Sequence, residues 1–171
     1  MRDQRSRLIA PSCLVIGAVF GVSGTFVSSA SLRGLLWCID GIALIVATAL
    51  LALHHFRRGN DVVAAGFLVF VAGETLVLAS AAMELVAGAP VFGAGVGLWA
   101  ASLTLISAPN VMPSWLRAVA VVGALLFGVV ALQIFTGYRV TPLSQPLPFF
   151  AYPFLAATLF GWAWSHYRDA A

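Results

Sequence analysis

The apolar run at 62–86, VVAAGFLVFVAGETLVLASAAMELV, constrains this chain more than any other stretch. A helix needs about 20 apolar residues to cross a bilayer, and this run exceeds that length. Its centre carries Glu74, twelve residues from either end. An acidic side chain at the middle of a spanning helix costs about 2.5–3.5 kcal/mol on insertion scales, so Glu74 calls for a partner or a use.

Composition extends the same reading to the whole chain. Of 171 residues, 61% are hydrophobic and 9% charged, with a mean hydropathy of +1.01. Soluble domains carry about 25% charged residues, so this is a membrane protein. Six segments reach or approach spanning length, at 8–27, 34–53, 62–86, 92–107, 118–136 and 149–164; the fourth and sixth are short. Backbone groups find no water in hydrocarbon, so each segment must be helical, and the alternating pattern of a membrane β-barrel is absent. The expected fold is an all-α polytopic transmembrane bundle of six spans in one integral membrane domain. An apolar core of 7–15 residues is usual for a secretory signal, and the first run is about twenty, which favours a retained span.

Arginine placement sets the orientation. With the N-terminus in the cytoplasm, Arg2, Arg5, Arg7, Arg57, Arg58, Arg117 and Arg168 fall inside and only Arg33 and Arg139 outside. This positive-inside bias puts both termini in the cytoplasm, and an all-Arg usage with abundant Ala, Gly and Val fits a bacterial inner membrane. Trp37, Tyr138, Trp115, Trp164 and Tyr167 fall where interfacial aromatic belts belong. The net charge of +3 comes from scattered arginines, with no basic cluster for nucleic acid. The lipid bilayer is the expected partner, with a homodimer or a larger membrane complex as a further option.

Three acids lie within the expected spans. Counted from the outer ends at about 1.5 Å per residue, Glu84 sits at the interface, Asp40 about 9 Å deep and Glu74 about 18 Å deep. They form a descending ladder facing outward. Arg33, Trp37 and Asp40 share one helix face, which favours an Arg33–Asp40 ion pair. Gln133, near the outer end of the fifth span, adds a hydrogen-bonding group at comparable depth. The expected polar pocket is therefore outward-facing and lined by Glu74, Asp40 and Gln133. No cation lies at the depth of Glu74, so the neutral acid is the cheaper form there, serving proton coupling, ligand binding or a hydrogen bond between helices. The inner half offers only isolated hydroxyls such as Thr48, Thr104 and Thr158, which argues against a continuous pore.

Other features read as structure. Gly17 with Gly21 and Gly93 with Gly97 form GxxxG seams for packing within the chain. The outer loop at 137–148, GYRVTPLSQPLP, holds three prolines that make it stiff and extended, a spacer before a cap. His54, His55 and His166 cap helix ends; adjacent histidines point about 100° apart and do not both face one ion, so no metal or haem is expected. Cys13 and Cys38 lie near opposite ends of antiparallel helices, which disfavours a disulfide. No HExxH, GxSxG, Walker A or CxxC motif occurs, so no cofactor is expected and the chain leans away from an enzyme. The leading expectation is a non-enzymatic small membrane protein for assembly, accessory or ligand-sensing work. A proton-coupled small-solute transporter with Glu74 as coupling residue is second, and an intramembrane enzyme third.

Overall fold

In the computed structural model, residues 2–170 are described, with side chains described over 8–168. Six helices follow one another: α1 (Arg2–Phe26), α2 (Ala30–Arg57), α3 (Asp61–Ala81), α4 (Ala89–Ser107), α5 (Ser114–Phe135) and α6 (Tyr152–Ala170). A 3₁₀ turn, Phe149–Ala151, leads into α6, and no strand occurs among the described residues. The first five helices are long and apolar enough to span a membrane, α1 over Leu8–Phe26. The protein is thus a helical membrane bundle.

Each helix packs on its chain neighbours and α6 closes the circle against α1. Glycines show that neighbours run antiparallel. A Cβ added at Gly24 would meet Trp37, Gly41 faces Leu78, Gly66 faces Ile106, Gly93 faces Ile134 and Gly161 faces Leu116. The chain termini therefore lie at one end of a six-helix ring. Large apolar side chains such as Leu35, Ile42, Leu125 and Leu132 remain exposed around its outside, as they must where the solvent is lipid.

The helix ends differ from the sequence expectation, each for a local reason. The third span stops at Ala81 and does not run to Val86. Glu84 is exposed in the following turn, where its Oε2 accepts the Ala87 backbone N–H at 3.2 Å. A charged carboxylate holds its place in water more cheaply than in oil, so the acid marks the boundary. The fourth helix starts early, at Ala89, with a proline in its first turn where a missing N–H costs nothing. The fifth also starts early, at Ser114, directly after Pro113.

Arg117 does more than set orientation. Its Nε donates to Ser107 O at 2.6 Å, one Nη donates to Ala108 O at 3.2 Å and the other to Asn110 Oδ1. One guanidinium thus ties the start of α5 to the last carbonyls of α4, which have no partner within their own helix. Arg117→Ala is expected to lower stability by about 1–2 kcal/mol and to speed amide hydrogen exchange in the 108–113 turn. Arg2, Arg5 and Arg7, part of the orientation argument, lie outside the described side chains.

The loop after α5 is folded, not extended. Ser144 N–H donates to Thr141 O, Thr141 N–H donates to Ser144 Oγ, and Phe149 N–H donates to Ser144 O. Val140, Pro142 and Pro148 are buried because they drop onto the open end of the ring. Apolar contact with the core outweighs the stiffness of the prolines. The loop is a cap.

Candidate functional site

The two halves of the ring are filled differently. Toward the termini, Phe67 meets Trp162 with ring centroids 5.0 Å apart, and Phe70 packs on Trp162 and Trp99. Phe67 and Phe70 are completely buried and Trp162 is 1% exposed, so this half is closely packed. The hydroxyls of Thr48, Thr104 and Thr158 donate to carbonyls of their own helices at 2.6–2.8 Å and supply no polar path. His55 and His166 approach through their Nε2 atoms at 3.1 Å, and His166 Nδ1 lies 2.8 Å from Trp162 O. A carbonyl only accepts, so Nδ1 of His166 carries a hydrogen; in the neutral ring its Nε2 then accepts from His55. His54 stacks edge-on against both, with centroids 5.3 and 5.4 Å away. The histidines thus join α2 to α6 at the terminal end, a packing role beyond the capping expected of them.

From mid-ring toward the opposite end runs a cavity of about 60 Å³. Since one water needs about 10–15 Å³ measured this way, there is room for roughly four to six waters or a solute of similar size. Helices α1, α2, α3, α4 and α6 line it, and Pro142 of the folded loop lies over it. Tyr152 of α6 fastens that cover by donating its hydroxyl to Pro142 O at 2.8 Å.

Asp40 and Glu74 both line this cavity. Gly41 packs on Leu78, four residues beyond Glu74, and Asp40 lies one residue further out, so Glu74 is about 7–8 Å further in than Asp40. The separation is shorter than the ladder counted from sequence, because α3 ends sooner and α2 projects further. Each acid owes its place to glycine. Gly21 leaves room for the Asp40 carboxyl, whose Oδ2 would lie 2.6 Å from a Cβ there. Gly73 brings α3 against Gly95 of α4, which turns the next residue, Glu74, to the inside. The Gly17–Gly21 seam does pack within the chain, against Leu44 and Asp40.

Glu74 is only 1% exposed, and its Oε2 has no hydrogen-bond partner. Trp99 Nε1 is equally buried and unpartnered, close to the Glu74 carboxyl but short of hydrogen-bond geometry. Buried polar atoms nearly always find partners, so two orphans at one cavity are informative. The Trp99 N–H of α4 lies beside the Glu74 carboxyl without a well-formed hydrogen bond to it.

Other expected members lie elsewhere. Gln133 is half-buried on α5, and no residue of α5 lines the cavity. The aromatic wall of Trp99, Phe127 and Tyr152 stands between. Arg33 makes no ion pair with Asp40 among the described residues; it donates to Val27 O at 3.2 Å and lies 5.7 Å from the Trp37 ring centroid. The unpaired carbonyl at the end of α1 is closer than an acid two turns away. Cys13 and Cys38 are free.

Compared with known proteins, the chain matches no family model, no curated sequence and no solved structure. The functional reading therefore rests on the cavity itself. Sequence reasoning did not single out Trp99 or Tyr152 and read Trp37 only as an interfacial anchor, yet all three line the cavity beside the acids. The available signal was position: Trp99 falls mid-span, away from either interface, where an indole N–H has no water to bond.

Proposed function

We propose that this chain is a multi-pass protein of a bacterial cytoplasmic membrane, termini inside, that binds a small solute and exchanges it for protons carried on Asp40 and Glu74. That is the behaviour of a proton-coupled carrier whose site lies beneath a cap at its outer end. The reading is carried by the orphaned Glu74 carboxyl at a cavity backed on the side of the termini by packed aromatic rings. A structural acid in this setting would be bonded to a neighbouring helix. Exchange suits two carboxyls in one low-dielectric space, because a second uncompensated charge there is costly. The cavity is complete within one chain, so this reading requires no second copy.

Ligand sensing uses the same site and differs only in the step after binding, where no solute crosses. The packed layer of Phe67, Phe70 and Trp162 favours it, since passage requires that layer to part. Liposomes containing the protein and a trapped pH indicator separate the two. When small amines, acids and neutral solutes are added in turn at a fixed pH step, a carrier moves protons with at least one, and Glu74→Gln does not. Saturable binding without proton movement assigns sensing. A hydrophobic carbodiimide, which couples to carboxylic acids reachable from the bilayer or cavity, is expected to label Glu74; no labelling together with no binding overturns both readings.

A further inference from the structure

The chemistry of the cavity walls narrows the ligand, granting the solute-binding reading above. Two carboxyls face the space, and among the described residues no cationic side chain lines it. The nearest arginine in sequence, Arg33, is engaged by Val27 O and the Trp37 ring. Trp37, Trp99, Tyr152 and Phe92 supply aromatic surface around the acids. Aromatic faces attract cations, most strongly where water is excluded. An anion would meet two acids and no compensating charge.

We infer that the cavity is a binding site for a small monovalent organic cation, an alkylammonium or guanidinium group of about four to six heavy atoms by the volume argument above. A divalent metal ion fits less well. Among the described residues no group of three His, Cys, Asp or Glu is placed to hold one, and the remaining walls are apolar or aromatic apart from the hydroxyls of Thr25 and Ser80, which donate to carbonyls of their own helices. The two orphaned atoms acquire partners in this scheme. The cation pairs with the Glu74 carboxylate as one proton leaves to solvent, so the charge in the cavity is unchanged. The Trp99 N–H, already beside that carboxyl, donates to it once it is ionised.

Purified protein in lipid nanodiscs tests this with tetramethylammonium and guanidinium as probes, each set against a neutral solute of like shape, tert-butyl alcohol and urea. Tryptophan emission reports occupancy, and an indicator dye in weak buffer reports protons. Both cations are expected to produce a saturable change with about one proton released per cation bound, and the neutral solutes none. Glu74→Gln is expected to weaken the response roughly a hundredfold, the scale of losing one partner of a buried charge pair. Trp99→Leu is expected to weaken it roughly tenfold and Trp99→Phe less, as a π-face contribution requires. Each variant is compared only where its thermal unfolding remains cooperative, with Asp40→Asn as the second acidic variant. Neutral solutes binding as well as the cations, or an undiminished response in both acidic variants, overturns the ligand class. In that event carbodiimide labelling of Glu74 leaves the solute-binding reading standing, whereas absent labelling removes that reading as well.

Discussion

Glu74→Met is expected to stabilise the folded protein by about 1–3 kcal/mol while abolishing solute binding. The sign comes from the site. Glu74 is 1% exposed with an unpartnered Oε2, so the native residue carries a desolvation penalty that no hydrogen bond returns. Methionine is flexible and close in length, and it fills the same space against the aromatic walls without a polar atom to satisfy. Function retained against stability is the usual mark of a working site. Thermal unfolding followed by circular dichroism in one detergent measures the effect. An acid that glued helices together would give the opposite sign, with Glu74→Met melting earlier than the native protein.

Gly95→Ala is expected to cost about 1–3 kcal/mol and to weaken binding at a site it does not line. A Cβ at this position would stand 2.9 Å from Gly73 O and 2.6 Å from Val77 Cγ2. The first of these is backbone, so α3 and α4 must separate to admit the methyl group. Glu74 follows Gly73 in sequence and Trp99 sits one turn from Gly95, so the separation displaces the two orphaned groups together. Gly97→Ala serves as the control. A Cβ there meets only Ala131 Cβ at 3.4 Å, an ordinary contact, and the expected change is within about 0.5 kcal/mol. Denaturant unfolding of the two variants side by side checks the contrast.

That contrast also shows where sequence reasoning ran out. Gly93 and Gly97 stand in the recognisable GxxxG spacing, yet the backbone contact that positions the site is Gly73 against Gly95, which no spacing rule marks. Hydropathy gave the helices because oil and protein interior both exclude water. For the same reason it could not give their rotation: the lipid-facing and core-facing sides of α5 are alike in composition, and Gln133 was assigned to a cavity from which its helix is screened. The expensive residue was the reliable one. Glu74 had to turn inward wherever its helix sat, and Asp40 went with it because Gly21 left room. Arg33 was paired with Asp40 by helix spacing alone, but a free carbonyl at Val27 and the face of Trp37 were nearer. The end of the third helix at Ala81 and the folded loop at 137–148 were missed because helix ends and caps depend on local capping and on contacts distant in sequence.

On the proposed function, residue 74 faces a space reached from one side of the membrane only. Replacing Cys13 and Cys38 by alanine and introducing Glu74→Cys allows that access to be measured with a small cationic thiosulfonate applied to oriented vesicles. Modification is expected from the side opposite the termini and none from the side of the termini. Modification from neither side, or at equal rates from both, would contradict it.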